Sequence, residues 1–175
     1  MSAIEDEKQA IRKQLLAERL RKPRPADFSL FALELLDSTT GLVASYWSTD
    51  TEPSTEKINA HLENQNRLVL PAISGSSLIW TIPERMIPSN FGIMSPVGKA
   101  VSLDEISLVL APALAVSASG SRLGKGGGYY DRALQSYSGD VFPLIFESEF
   151  LEDLPTADHD KKVHGVITES GLQVF

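Results

Sequence analysis

The sequence predicts an α/β fold, a three-layer sandwich with a mostly parallel central sheet and helices on both faces. Two observations predict it. Strand patterns alternate with helical patterns along the chain, the order that builds parallel sheets with crossover helices. Strands such as Leu108-Val109-Leu110 are apolar at consecutive positions, without the alternation of a sheet that has one wet face, so they are covered on both sides. Residues 1–175 read as one domain, long enough for a substantial core, and the 42% hydrophobic and 22% charged shares are those of a soluble globular protein.

The spacing predicts a helix over residues 2–21, ended by Pro23 and Pro25. At roughly 100° per residue, Ile4, Ile11, Leu15 and Leu16 form an apolar stripe, and Lys8, Arg12 and Arg19 project inside it. Two readings fit: basic side chains snorkelling from the edge of a core, or a helix face that covers a pocket for an anionic ligand. Asp27 caps a second helix, with Phe28, Phe31 and Leu35 facing the core. A strand over 42–47 leads into the polar loop Ser48-Thr49-Asp50-Thr51-Glu52-Pro53. Ser54 then caps a helix that buries Ile58 and Leu62, with Lys57 where a capping box would place an acid. Strands follow over 67–71 and 78–82, the second nearer an edge. Residues 85–99, interrupted by Pro88, Gly92, Pro96 and Gly98, read as a long irregular loop. Asp104-Glu105 precede the central strand over 108–114. Strands over 141–146, 163–168 and 172–175, with a short helix or turn over 149–154, complete the chain.

Between the central strand and a helix whose Tyr130, Leu134 and Tyr137 share one face lies Arg122-Leu123-Gly124-Lys125-Gly126-Gly127-Gly128-Tyr129-Tyr130-Asp131-Arg132. Four glycines among five residues let the backbone take positive φ and approach a ligand closely. Amides at the mouth of a helix, flanked by Arg122 and Lys125, attract anions, and phosphate is the natural occupant. A tight crossover with solvated cations is the other reading of such a run. The spacing is not that of a Walker A loop, because Ser119 stands at its first glycine and Gly126 follows the lysine. The dinucleotide fingerprint fails at Tyr129. The Tyr129-Tyr130 pair is expected to split, one ring in the core and one toward the site. Asp131 suits the positive end of a helix dipole, and could equally hold Mg²⁺ beside a bound polyphosphate. Asp160 offers a second carboxylate from Asp158-His159-Asp160, a run that otherwise reads as a turn. Ligands of parallel sheets bind beyond the carboxyl ends of the strands, where the Glu52 loop, the glycine loop and the 158–160 run all fall.

The formal net charge of −7 argues against nucleic-acid binding through bulk charge. No apolar run is long enough to span a bilayer, and the acidic, amphipathic start is not a signal peptide, so no membrane partner and a cytoplasmic location are expected. Cysteine is absent and the three histidines are scattered, which leaves no basis for thiolate or transition-metal chemistry. No serine–histidine–acid triad can be picked out.

The glycine stretch resembles the 5-formyltetrahydrofolate cyclo-ligase family, also called methenyltetrahydrofolate synthetases, in which G-x-R-L-G-x-G-x-G-Y-Y-D is the most specific motif. Gly120-Ser121-Arg122 through Asp131 fits it fully. Three weaker matches follow in the right order: Lys8 and Arg12 as the N-terminal K-x-x-x-R, Glu52 with Thr55 as E-x-x-T, and His159-Asp160 ahead of Val163 and Ile167-Thr168-Glu169 as the C-terminal segment. The resemblance covers almost the whole chain, as one cyclo-ligase-like domain. It implies an ATP- and Mg²⁺-dependent monomer that closes a ring on 5-formyltetrahydrofolate, with the formyl oxygen phosphorylated before N10 attacks. It also implies roles: Lys8, Arg12, Arg122, Leu123, Gly124, Lys125, Gly126, Gly127, Gly128, Tyr129 and Tyr130 on ATP, with Arg122 and Lys125 catalytic. Arg12, Glu52 and Tyr130 would meet the folate, and Asp131 and Asp160 would hold Mg²⁺. The chain departs from the family at Val116-Ser117, where a Phe-Asp pair is usual, at Ser95 in Gly92-Ile93-Met94-Ser95-Pro96, where an acid is usual, and at His164, where an aspartate is expected. These lie closer to the folate side, so the alternative is a nucleotide-binding paralogue with altered or lost folate activity.

Overall fold

The computed structural model describes residues 3–21, 26–89, 93–156 and 160–175. Ser2, Pro23, Pro25, Gly92, Asp158 and His159, named above, lie outside the described residues. In chain order the elements are α1 (Ala3–Arg21), α2 (Ser29–Ser38), β1 (Leu42–Ala44), α3 (Glu56–Asn64), β2 (Leu68–Ser74), β3 (Ser77–Pro88) and β4 (Met94–Val101). A 3₁₀ turn over Leu103–Glu105 enters β5 (Ile106–Pro112). Then come β6 (Ala115–Ser117), β7 (Arg122–Leu123), α4 (Tyr129–Ala133), β8 (Asp140–Leu144), β9 (Phe150–Leu151), β10 (Gly165–Ile167) and β11 (Leu172–Val174).

The fold is mixed α/β around a large, mostly parallel sheet. Its eight strands run in the order β11-β10-β8-β5-β1-β2-β3-β4. From β10 to β2 every pairing is parallel, and antiparallel β11 on one side and the β3–β4 ribbon on the other complete it. A small sheet, β7-β6-β9, stands apart from it.

Alternate residues of the central strands serve two different cores, as the period-2 geometry of a strand requires. Val43, Leu68, Leu70, Leu108, Leu110, Phe142 and Leu144 pack with Phe28, Ala32 and Leu36 around α2 and with Ile58 and Leu62 of α3. Their neighbours Ala44, Val69, Val109, Ala111 and Val141 join Leu134, Tyr137 and Trp80 instead. A third cluster sets Leu15 of α1 against Leu114, Ala115, Leu123 and Leu154, which seats α1 on the small sheet.

Several expectations change. Residues 85–88 and 94–99 are strand rather than loop: β3 runs to Pro88 and β4 begins at Met94, forming an antiparallel ribbon whose register shifts between Pro83 and Arg85. Prolines are tolerated at such an edge and bulge, and Gly98 permits the close pairing, since a Cβ there would lie 2.2 Å from the Ile82 carbonyl oxygen. The central strand starts at Ile106 and stops at Pro112, and the β6–β7 hairpin intervenes before the glycine loop. Helix α4 has only five residues, although Leu134 and Tyr137 stay buried beyond it. Residues 150–151 form a strand against β6 rather than a helical turn. The buried face of α2 is Ala32 and Leu36, with Phe31 and Leu35 at its margins. The N-cap position of α3 is Thr55, whose side chain makes no capping bond, while Ser54 Oγ accepts from the Glu56 amide at 3.4 Å. Strand β1 ends at Ala44, short of 47.

The β10–β11 edge offers a test. A Cβ on Gly165 would sit 2.3 Å from the Gln173 carbonyl oxygen and 2.4 Å from the Phe142 ring. Gly165→Ala is therefore expected to lower stability by about 1–3 kcal/mol, the usual range for overpacking, read as an earlier urea midpoint; an unchanged midpoint contradicts the packing described.

Candidate active site

Strands β1 and β5 are parallel neighbours, so the segments leaving their carboxyl ends emerge side by side. The segment after β1 is pinned on itself. Thr55 Oγ1 and Asn59 Nδ2 both donate to the Tyr46 carbonyl, at 2.7 and 3.0 Å, and the Thr49 amide and hydroxyl donate to Glu52 Oε2, each at 2.9 Å. Thr55, read as part of a binding motif, is thus a buried brace that delivers Glu52. After β5 the chain makes the β6–β7 hairpin, closed by Leu114 N–H on the Leu123 carbonyl at 2.7 Å, and then enters the glycine loop. Gly120, at φ +77°, accepts from the Val163 amide at 2.9 Å, and Lys161 donates to the Leu134 carbonyl at 2.9 Å. Those bonds draw the C-terminal segment, and Asp160 with it, to the same place.

All these elements meet around one cavity of about 330 Å³. Every site residue read from the sequence lines it: Lys8 and Arg12 from α1, Glu52, the unbroken run 122–131, and Asp160. Glu5, Pro112 and Ala113 line it too and were missed. Glu5 had a signal, because it lies three and seven residues before Lys8 and Arg12 on the same helical face.

Each cation of the cavity is paired with an acid of the cavity. Lys8 bonds Asp160, and Arg122 bonds Asp131. Arg12 Nη1 lies 2.6 Å from Glu5 Oε1, and Lys125 Nζ lies 2.7 Å from Glu52 Oε1. Arg12 Nε also donates to the Gly124 carbonyl at 3.0 Å, and Arg122 Nη1 to the Pro112 carbonyl at 3.0 Å. Lys8 and Arg12 are 7% and 9% exposed, so the basic residues on the apolar stripe of α1 do cover a pocket rather than snorkel to solvent. Positive and negative groups alternate around a space that no protein atom fills.

The glycine loop supplies bare backbone to this space. Gly126 and Gly128 hold φ of +98° and +65°, where a Cβ is strained, and a Cβ on Gly126 would stand 3.5 Å from the Arg12 guanidinium. Because α4 is so short, the attraction for an anion comes from loop amides and the four cations, with little from a helix dipole, which corrects the expectation of a helix-mouth site. Tyr129 and Tyr130 both line the cavity, but only the Tyr130 ring also packs against the core, so the expected split holds in part. Tyr130 packs edge-on to Trp80, and its hydroxyl is buried without a hydrogen-bond partner among the described residues. Burial pushes the Tyr130 phenol well above its usual pKa, against the opposing pull of Arg122 and with reinforcement from Glu52. It is held as a protonated, buried donor.

Among the described residues no group of three acids or histidines stands ready to hold a metal. Asp131 and Asp160 on the cavity wall are hard oxygen donors of the kind Mg²⁺ takes one or two of, with water and substrate phosphates filling the rest of its shell. The residues fit a Mg²⁺ ion that comes with a polyphosphate.

A second cavity, about 630 Å³, adjoins the first and is lined by Trp47, Leu68, Leu70, Pro83, Arg85 and Met86 among others. Glu52 lies on the wall of both. The departures from the resembled family lie in neither: Ser117 Oγ accepts from the Ser121 amide at 3.2 Å, His164 Nδ1 accepts from the Val141 amide at 3.1 Å, and Ser95 pairs with Ile87 in the ribbon.

Residues 4–169 match the model of the 5-formyltetrahydrofolate cyclo-ligase family. The chain is 31% identical over 138 residues to the 5-formyltetrahydrofolate cyclo-ligase of Haemophilus influenzae, covering 71% of this chain and 74% of that protein. It is 31% identical over 140 residues to that of Mycolicibacterium smegmatis, covering 72% of each. In structure it resembles the 5,10-methenyltetrahydrofolate synthetase of Aquifex aeolicus, with a TM-score of 0.80 at 26% identity over 95% of this chain and 92% of that one.

Gly126→Ala tests the cradle. A side chain at that φ costs about 1–3 kcal/mol and would shift the loop backbone, so affinity for inorganic triphosphate should fall by about tenfold or more in calorimetric titration. Undiminished triphosphate binding in this variant contradicts the role given to the loop.

Proposed function

The chain belongs to the 5-formyltetrahydrofolate cyclo-ligase family, and from that premise we propose that it converts 5-formyltetrahydrofolate to 5,10-methenyltetrahydrofolate with ATP and Mg²⁺, releasing ADP and phosphate. The observation that carries the nucleotide half is the glycine-backed cavity with four cations and four acids on its wall. The folate half is supported by the larger cavity that shares Glu52 with it. Two adjoining spaces suit two substrates that must react with each other.

In the proposed reaction the formyl oxygen attacks the γ-phosphorus of ATP, the bond from phosphorus to the β-bridging oxygen breaks, and ADP leaves. N10 then bonds to the activated formyl carbon, its proton is lost, and phosphate departs with the former formyl oxygen. Such chemistry needs positioning and charge neutralisation more than a protein nucleophile. Lys8 and Arg12 hold phosphate charge from α1, and the backbone from Leu123 through Gly124, Gly126, Gly127 and Gly128 approaches it. Arg122 and Lys125 are the catalytic cations beside the transferring phosphoryl group. Tyr129 and Tyr130 close the wall, and Arg12, Glu52 and the Tyr130 hydroxyl face the folate. Asp131 and Asp160 would hold Mg²⁺, which neutralises phosphate charge when bound. The paired side chains become available through exchange: as phosphate draws Lys125 away, Glu52 is freed to accept from the folate. A cytoplasmic monomer, with helices layered on both sheet faces, completes the proposal.

The test is direct. With Mg·ATP the purified protein should turn 5-formyltetrahydrofolate into the methenyl product with one ADP formed per turnover. Lys125→Ala and Asp131→Asn should each lower kcat/KM by about 10²-fold while the unfolding temperature stays near that of wild type. ATP binding without conversion of the folate would favour the nucleotide-binding paralogue instead, and wild-type turnover by both variants would put the site elsewhere.

A further inference from the structure

The buried face of α1 carries Lys8, Arg12, Leu15 and Arg19, but only the first two reach the cavity. Arg19 is directed away from it, into the interior between α1 and the segment after β8. Its Nε and Nη2 donate to Glu149 Oε1 and Oε2 at 2.8 and 2.7 Å, and Nη2 donates again to the Ala113 carbonyl at 2.7 Å. Both side chains are almost wholly buried, at 1% and 2% exposure. Glu149 Oε2 also accepts from the Phe146 amide at 3.0 Å, and the guanidinium lies 5.6 Å from the Phe146 ring centre.

We infer that Arg19 and Glu149 are positioning residues for the nucleotide pocket, setting the register of α1 and hence the placement of Lys8 and Arg12; the inference rests on the reading of that pocket given above. Stability alone does not account for the pair. A buried ion pair often stabilises no better than well-packed apolar side chains, and Arg19 Nη1 is left buried without a hydrogen-bond partner among the described residues. What a forked, two-point bond does supply is direction. A slip of one residue would move Lys8 and Arg12 by about 1.5 Å along the helix and turn them by roughly 100°.

The second anchor reaches the pocket itself. Ala113 lines the cavity, and the preceding carbonyl, Pro112, accepts from Arg122. Two guanidinium groups, one from α1 and one from β7, therefore grip consecutive carbonyls at the end of β5. The end of the central strand is the common reference from which the helix cations and the loop cations are both placed.

The discriminating variant replaces both partners with apolar residues, Arg19→Met with Glu149→Leu. It should still fold, with an unfolding temperature near or modestly below that of wild type because the Ala113 carbonyl and the Phe146 amide lose these partners. Its KM for Mg·ATP should nonetheless rise about tenfold, with KM for the folate within about twofold and amide exchange accelerated over residues 3–14. A merely structural role would move stability and both KM values together. A stable double variant with wild-type KM for Mg·ATP overturns the inference. Should the double variant not fold, Arg19→Lys keeps the charge and loses the fork, and it should raise KM for Mg·ATP by about threefold with little change in kcat; an unchanged KM there also overturns it. Wild-type protein that ignores Mg·ATP would remove the functional reading itself, and the exchange over residues 3–14 would still decide whether the pair sets the register of α1.

Discussion

A buried charge must find a partner, and α1 buries three on one face, Lys8, Arg12 and Arg19. Much of the molecule answers that requirement. Asp160 comes to Lys8 from the C-terminal segment, Gly124 offers its carbonyl to Arg12 from the glycine loop, and Glu149 meets Arg19 from the segment after β8. The helix is thus fastened to three distant parts of the chain by the residues that would otherwise make its burial unfavourable. Its apolar contribution is modest by comparison, chiefly Leu15 on the small sheet.

The same constraint yields a site. Two of the three buried cations, with Arg122 and Lys125, surround a cavity in which each is satisfied by a carboxylate. In the proposed function the acids are stand-ins for phosphate: when phosphate arrives the cations would turn to it, and the carboxylates released would be the ones placed to take up a divalent ion. Glu52 differs from the rest because it also faces the second cavity, so a change in its pairing with Lys125 would be felt on both sides of the wall.

How much of this was legible in the sequence depended on whether a signal was local. The clash between cations and the apolar stripe of α1 is visible from helical periodicity, and the glycine run declares a close backbone approach, so most of the cavity wall could be listed residue by residue. The Arg19–Glu149 pair could not, since its partners are 130 residues apart and neither carries a motif. Residues 85–99 misled because Pro88, Pro96 and Gly98 are breakers in a central strand but are accommodated in an edge ribbon that carries a bulge. Helix α4 looked longer because Leu134 and Tyr137 stay buried after the helix has ended, and periodicity reports burial rather than hydrogen bonding. A largely parallel sheet could be expected from alternating strands and helices, whereas the small sheet had no pattern of its own at two or three residues per strand.

In the proposed function the ion pairs of the cavity are exchanged for a metal-bound polyphosphate, and calorimetric titration of ATP in excess Mg²⁺ and in a chelator measures that exchange. Without the metal, phosphate would take the cations and leave up to four carboxylates unpaired beside it, so affinity in the chelator should be about tenfold or more weaker, with the gap narrowing in Asp131→Asn. Equal affinity with and without Mg²⁺ would contradict the exchange.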